Sequence, residues 1–141
     1  MKFVLLLLIM PFLLFAQSKK DSIRVFYLGG QANMEGFGYV NELPDTLQKK
    51  NKNVFIYQGD PTADNDKSGG LGKWDLLQAG HGTGFSSDGK SNTLSDRFGV
   101  ELSLAKRLQE LYPNQKIAFI KYARNGSSID SIGTHGFGAW E

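Results

Sequence analysis

Residues 25–36 read Val25-Phe26-Tyr27-Leu28-Gly29-Gly30-Gln31-Ala32-Asn33-Met34-Glu35-Gly36, an apolar run that stops at two glycines and a polar cluster. A near-continuous apolar run is typical of a buried parallel strand. The glycines allow a sharp turn after the strand because they carry no Cβ. In open α/β sheets, ligands bind just beyond the carboxyl ends of the strands. The stretch therefore predicts either a strand that presents Gln31, Ala32 and Asn33 at a site or an ordinary strand-to-helix turn.

Two later stretches have the composition of strands. Residues 53–57 are short and rich in β-branched and aromatic side chains, and residues 116–122 form a third apolar run. A sequence of strand, long connection, strand, helix and strand favours an α/β fold with a parallel sheet and right-handed connections. We therefore expect residues 25–28, 54–57 and 117–122 to be neighbouring parallel strands.

A helix is predicted between the second and third strands. Residues 98–112 carry apolar side chains at helical spacing, and Pro113 ends the run. Ser95 or Asp96 could cap the start of this helix. A shorter helix is expected to begin within residues 34–39. Residues 58–96 show almost no periodicity, and such a long connection could form a loop that covers a substrate.

Three blocks of the sequence match a known pattern. Gly30-Gln31-Ala32-Asn33-Met34 is similar to a Gly-Gln-Ser-Asn-Met block, residues 97–102 to a Phe-Gly-Pro-Glu block, and residues 121–129 to Lys-Tyr-Ala-x-Gly-Gly-Thr-Ser-Ile. In this order the blocks resemble the sialate O-acetylesterase-like branch of the SGNH hydrolases, which are carbohydrate esterases. The resemblance covers residues 23–129. It implies the N-terminal portion of a flavodoxin-like SGNH three-layer sandwich, in a domain at residues 23–141 that is truncated at its C-terminus.

Ala32 stands where the resemblance places the nucleophilic serine, and a methyl group cannot attack an ester carbonyl. The family's closing Asp-x-x-His block, which supplies the base and its orienting group, has no match before Glu141. We therefore expect a carbohydrate O-acetylesterase-family protein that is inactive as given. A non-catalytic glycan-binding or structural relative is the alternative. Nucleotide binding is a weaker option, because the chain lacks a phosphate-binding glycine motif.

The resemblance also implies an oxyanion and substrate-binding site around Ala32. Its residues here would be Gly30, Gln31, Asn33, Gly99, Glu101, Asn125 and Gly126. Gln31 and Asn33 would be donors or would shape the pocket, with turn capping as the simpler role. Asn125 replaces a glycine that is more usual in the family. Glu101 either places a favourable charge at a helix N-terminus or forms a buried link to the Gln31 turn.

Several other residues could act as catalytic groups. His81 and His135 lie in glycine-rich loops, and neither stands in an Asp-x-x-His arrangement. The hydroxyl groups that might substitute for the missing nucleophile are Ser86, Ser87, Ser127 and Ser128. Nothing in the sequence shows a base beside them, so we expect no catalytic role for either histidine or for these serines.

Carboxylates and tryptophans offer binding chemistry with simpler alternatives. Asp60, Asp64 and Asp66 could supply oxygen ligands to calcium, but their spacing lacks a recognised loop pattern. Solvated loop carboxylates are the expectation, with no metal and no cofactor. Trp74 and Trp140 could stack on sugar rings, although ordinary packing is the commoner role of a tryptophan.

Residues 1–16 have the pattern of a secretory signal peptide. Lys2 gives a charged start, residues 3–15 are apolar, and Ala16 is a small residue at the predicted cleavage site. A membrane anchor is the alternative, but the apolar run is shorter than the ~20 residues that a spanning helix needs, and Pro11 interrupts it. We expect a secreted or periplasmic protein without membrane attachment after signal removal.

Composition limits the class of partner. The chain has 16 basic and 14 acidic residues, which are interspersed and give a formal net charge of +2. No basic stripe indicates nucleic-acid binding. The chain has no cysteine, so its fold must depend on core packing and not on disulfides. The expected partner is an O-acetylated carbohydrate or another glycan.

Overall fold

The computed structural model describes residues 22–63, 65–134 and 138–140. In chain order its elements are β1 (Ile23–Gly30), α1 (Ala32–Glu35), β2 (Gly38–Tyr39), α2 (Asp45–Gln48), β3 (Val54–Gln58), β4 (Asp75–Leu76), β5 (Ser86–Ser87), β6 (Asn92–Thr93), β7 (Arg97–Phe98), α3 (Glu101–Leu111) and β8 (Lys116–Ala123). Single 3₁₀ turns lie at Val40–Glu42 and Ser131–Gly133.

The main sheet has the strand order β1-β8-β3-β4. Strand β8 is parallel to β1, with Ile23 opposite Lys116, and parallel to β3, with Val54 opposite Ile117. The two-residue strand β4 pairs antiparallel with β3. Two further antiparallel pairs, β2 with β7 and β5 with β6, lie outside this sheet. The α/β fold and the three parallel neighbours predicted from the apolar runs are thus confirmed, with β8 in the middle.

The core lies between one face of the sheet and helix α3. Leu102, Ala105 and Leu108 come from α3, and they pack with buried residues of β3 and β8, among them Ile56 and Phe119. Burying a large apolar side chain contributes about 1.5–3 kcal/mol. The chain has no cysteine, so no disulfide adds to this apolar contact.

The opposite face of the sheet is apolar and open in the described part of the chain. Side chains alternate between the faces along a strand. Val25 and Tyr27 of β1 are 59% and 61% exposed, and Ile120 of β8 is 37% exposed. Sheet and α3 thus form two layers of the expected sandwich.

Local boundaries differ from the sequence prediction at the two helices. Helix α3 begins at Glu101 and not near residue 98, because Phe98 pairs with Gly38 in a β-ribbon. Its N-cap is Val100, without a side-chain cap, so the predicted capping by Ser95 or Asp96 is wrong. The hydroxyl of Ser95 instead accepts a hydrogen bond from the Arg97 amide at 3.1 Å.

The other connections are also more ordered than predicted. Helix α1 begins at Ala32, earlier than the predicted start within residues 34–39. Only Gln31 separates it from the end of β1. The connection across residues 58–96 contains the short strands β4, β5 and β6. Its role as a substrate cover stays a prediction.

The predicted signal peptide, residues 1–16, lies outside the described residues, as do Asp64 and His135. Within the part of the chain that is described, no helix has the length and apolar character needed to cross a bilayer.

Candidate functional site

A groove lies beside Ala32, where β1 gives way to α1. Its volume is about 330 Å³, and its lining residues are Ala32, Asn33, Gly36, Phe37, Gly38, Phe98, Gly99, Val100 and Ser103. Ala32 is the first residue of α1. The carbonyl of Gln31 accepts hydrogen bonds from the amides of Met34 and Glu35, each at 2.9 Å, and these bonds fix the turn. The side chain of Gln31 makes no capping hydrogen bond, so the simple capping role does not account for it.

The turns after β1 and β8 meet at one edge of the sheet. The Arg124 amide donates to the Gly30 carbonyl at 3.0 Å, and the Asn125 amide donates to Glu35 Oε2 at 2.7 Å. Gly126 has a φ of 76°, a left-handed conformation that glycine adopts without strain. The Gln31 and Asn125 turns therefore lie side by side at the same edge of the sheet. The Asn125 amide contacts α1 through Glu35, and neither Asn125 nor Gly126 lines the groove itself.

Glu101 is fully buried in the first turn of α3, where it forms an ion pair with Lys121 of β8. Glu101 Oε2 lies 2.7 Å from Lys121 Nζ, and Glu101 Oε1 accepts a hydrogen bond from the Gly99 amide at 2.8 Å. Lys121 Nζ also donates to the carbonyl of Glu35, the last residue of α1, at 3.0 Å. Glu101 thus lies in the first turn of α3 and is connected through Lys121 to the end of α1, whereas its link to the Gln31 turn stays a prediction.

Lys121 was missed by sequence reasoning, although its position carried a signal. It lies inside the apolar part of β8 and is fully buried, whereas the other lysine of the strand, Lys116, is exposed at its start. Lysine is almost never fully buried without a partner. A lysine inside an apolar run therefore predicts a buried carboxylate, here Glu101.

His81 is also fully buried, and it lies apart from the groove. Its Nδ1 lies 2.9 Å from Gln58 Oε1, and its ring stacks on Phe85 with a centroid distance of 5.1 Å. Since the Gln58 oxygen can only accept, Nδ1 carries the proton and Nε2 is an acceptor, which has no partner among the described residues. Burial, aided by the positive charge of Lys121, lowers the pKa of His81 to about 4. His81 is therefore a neutral core residue near pH 7.

Of the loop aspartates, Asp66 has local partners for its carboxylate, and Asp60 forms a backbone hydrogen bond. Asp66 Oδ1 accepts hydrogen bonds from the amide and the hydroxyl of Ser68, at 2.9 and 2.7 Å, and these bonds lower the pKa of Asp66. The Asp60 amide donates to the Leu71 carbonyl at 3.0 Å. In the described ranges, no three histidine, aspartate or glutamate side chains come together as a metal site would require.

Both tryptophans pack against tyrosines. Trp74 is 48% exposed and lies 5.6 Å from the Tyr57 ring, beside the open face of the sheet. Trp140 meets Tyr122 edge to face at 5.9 Å, and its Nε1 donates to the Ser127 hydroxyl at 2.9 Å. Both thus have packing partners, the role expected of them, and stacking on sugar rings stays the alternative.

The serines considered as substitute nucleophiles lie away from the groove. The Ser127 hydroxyl donates to the Arg124 carbonyl at 2.7 Å, and the Ser128 hydroxyl accepts from the Asp130 amide at 3.2 Å. Ser86 and Ser87 form β5. None of the four lines the groove beside Ala32.

Comparisons with known proteins agree with the three sequence blocks. A family model described as "Carbohydrate esterase, sialic acid-specific acetylesterase" matches residues 22–137. No curated protein sequence matches the chain. Among solved structures, the crystal structure of NanS is similar, with a TM-score of 0.46 and 19% identity over 79% of this chain and 38% of NanS. The chain spans 38% of the length of that protein. Because the family model covers most of the sequence, the chain belongs to the sialic acid-specific acetylesterase family of carbohydrate esterases.

Proposed function

We propose that the chain is an exported member of this family that binds an O-acetylated sugar in the groove beside Ala32 and does not hydrolyse it at enzymatic rates. The observation that carries this proposal is the place of Ala32, which lines the groove as the first residue after the β1 turn. This is where the family's Gly-Gln-Ser-Asn-Met block presents its serine. The chain keeps the surrounding turn and has a methyl group in place of the hydroxyl.

Ester hydrolysis through a serine needs an activated hydroxyl, and activation needs a base beside it. Among the described residues that line the groove, the only hydroxyl is that of Ser103. That hydroxyl donates to the Val100 carbonyl at 3.1 Å, the usual behaviour of a serine on a helix. The described lining residues include no histidine and no carboxylate. These features support binding without turnover.

The shape and chemistry of the groove suit a small acetylated sugar. Its volume of about 330 Å³ lies at the lower end of the range for ligand sites. Phe37, Phe98 and Val100 supply apolar surface for an acetyl methyl group or the face of a sugar ring, and Asn33 supplies both donors and an acceptor. The family description favours an O-acetylated sialic acid as the first ligand to examine.

The test is a titration of the protein with an O-acetylated sialic acid and with the same sugar lacking the acetyl group, followed by NMR. Ser103→Trp should abolish binding, because Ser103 is exposed on α3 and its replacement would fill the groove. The matched control is Lys106→Trp, which adds the same bulk to an exposed position of α3 that borders a different cavity. Binding that ignores the acetyl group, or that survives Ser103→Trp, would contradict the proposal.

A further inference from the structure

Lys121 has an unusually complete set of partners for a buried amine. Its side chain is fully buried, and Nζ has three acceptors: the Glu35 carbonyl at 3.0 Å, the His81 carbonyl at 2.5 Å and Glu101 Oε2 at 2.7 Å. A lysine ammonium has three hydrogens to donate and accepts none. Each hydrogen therefore has one partner, and the direction of each bond is fixed.

The three acceptors belong to segments that are remote in sequence. Glu35 is the last residue of α1, His81 lies in the connection between β4 and β5, and Glu101 is the first residue of α3. Only the carboxylate of Glu101 carries a formal charge. The ammonium thus joins two backbone carbonyls to one ion pair, at the point where the three segments meet.

Glycines allow this meeting of the segments. A Cβ on Gly36 would collide with the Gly99 Cα, and a Cβ on Gly82 would lie 2.7 Å from the Gly36 carbonyl oxygen. The Gly82 amide donates to the Arg97 carbonyl at 3.0 Å, and the Thr83 amide donates to the Gly36 carbonyl at 2.8 Å. We call this contact of Gly36, Gly82 and Gly99 the glycine junction.

The glycine junction also forms part of the groove. Gly36 and Gly99 line it together with Ala32, and a Cβ on Gly99 would lie 3.2 Å from Lys121 Nζ. Ala32 and Gly36 form one side of the groove, and Gly99 forms the other. The ammonium of Lys121 lies next to Gly99, so the distance between the two sides depends on this buried group.

We propose that Lys121 is a positioning residue, which sets the width of the groove by holding the end of α1 and the start of α3 at fixed places. It touches no ligand and acts through the Glu35 carbonyl and the Glu101 carboxylate. The effect on ligand binding rests on the proposed function, whereas the effect on the glycine junction does not.

The variants must separate positioning from general stability. Lys121→Met alone would leave the Glu101 carboxylate buried without a partner, which strongly destabilises a fold, whereas replacing both members of a buried pair with apolar residues is often neutral. The main variant is therefore Lys121→Met combined with Glu101→Leu. Glu101→Gln is a second variant of nearly the same shape, which keeps one acceptor oxygen but removes the negative charge beside Lys121 and one of the two acceptors that serve Lys121 and the Gly99 amide. Lys106→Met, which removes an exposed lysine from α3, is the control.

The first measurement is amide hydrogen exchange by NMR, without ligand. The amides of Gly82 and Thr83 report on the glycine junction, and the Leu77 amide, which donates to the Val54 carbonyl at 2.8 Å, reports on the sheet. In the paired variant we expect the two junction amides to exchange about tenfold faster or more, with Leu77 unchanged. Glu101→Gln should give a change in the same direction, and Lys106→Met none. Unchanged junction amides in Glu101→Gln and in a folded paired variant would overturn the proposal, as would equal acceleration at Leu77.

The second measurement is the affinity of each variant for the O-acetylated sialic acid. The paired variant should bind about tenfold more weakly or worse, even where its melting temperature equals that of the parent. Parent-like affinity in a folded paired variant would overturn the proposed link to the groove. If the parent protein itself does not bind the sugar, the proposed function fails, and the exchange measurement still decides whether Lys121 positions the junction.

Discussion

At the scale of single residues, His81 links burial to acid sensitivity. Its pKa is about 4 in the folded protein, below the value of 6.5 expected in the unfolded chain. Between these values the unfolded state binds the extra proton, so stability falls as the pH is lowered from about 6.5 towards 4. The difference between the two pKa values contributes about 3 kcal/mol at most to the free energy of unfolding. This contribution is fully present above the pKa of the unfolded state and is lost as the pH falls towards 4.

We therefore predict that chemical denaturation will show a loss of stability between about pH 6.5 and 5, above the range in which most carboxylates titrate. The control is His81→Gln, which has no imidazole to protonate and should show a flatter profile in that interval. Equal pH dependence in the parent and in His81→Gln would show that another group is responsible.

Ala32 supports a second prediction at this scale: Ala32→Ser alone will not produce an enzyme. A restored hydroxyl stays protonated and weakly nucleophilic without a base. In serine hydrolases, loss of a triad member leaves only about 10³–10⁴-fold acceleration over water. We expect turnover only when Ala32→Ser is combined with a C-terminal extension that carries the family's Asp-x-x-His block.

Acetate release from an aryl acetate and from an O-acetylated sugar would be measured for four proteins, namely this chain and the extended chain, each with Ala32 or with Ala32→Ser. Robust turnover by the unmodified chain would contradict the prediction. If that turnover were abolished by replacing His81 or His135, the active site would lie elsewhere in the protein.

At the scale of elements, helix α3 stabilises the fold through one of its faces. Leu108 is 8% exposed and belongs to the core, whereas Leu111 of the same helix is 53% exposed. Leu108→Ala should cost about 2–5 kcal/mol of unfolding free energy, because it leaves a cavity. Leu111→Ala makes the same chemical change at the surface and should stay within about 0.5 kcal/mol of the parent. Urea denaturation of both variants would measure the difference, and comparable losses would mean that α3 does not pack on the sheet as described.

Elements with strong local patterns were predictable from the sequence. The apolar runs of β1 and β8 and the helical spacing of α3 identify these elements without knowledge of the fold. The start of α3 was not predictable in the same way. Phe98 continues the helical spacing, but in the structure it pairs with Gly38 in a β-ribbon. Whether Phe98 joins the helix or the ribbon depends on this contact, which is remote in sequence.

The candidate site shows the same division between local and remote information. The Gln31 turn follows from two glycines at the end of an apolar run, so its place at the edge of the sheet was predictable. The position of Lys121 inside an apolar run signals a buried carboxylate, but its two other acceptors, the backbone carbonyls of Glu35 and His81, were not predictable. Every residue has a carbonyl group, so nothing in the sequence marks these two as partners of a lysine.

At the scale of the whole molecule, we predict export with removal of residues 1–16. The reason is the charged start at Lys2, followed by an apolar run and Ala16. Mass spectrometry of protein recovered outside the cytoplasm should find an N-terminus near Gln17. Lys2→Glu, which reverses the charge at the start, should reduce export. Soluble cytoplasmic protein with an intact Met1 would contradict the prediction.

The central place of β8 in the sheet also affects how the chain folds during synthesis. Ile23 of β1 pairs with Lys116 of β8, and β3 pairs with the opposite edge of β8. Both earlier strands therefore leave the ribosome before their common partner has been made. Until then the apolar run of β1 has no native neighbour, and chains in this state expose surfaces that aggregate or recruit chaperones. Native pairing in such a topology is non-local and correspondingly slow, so completion of the sheet waits for the emergence of β8.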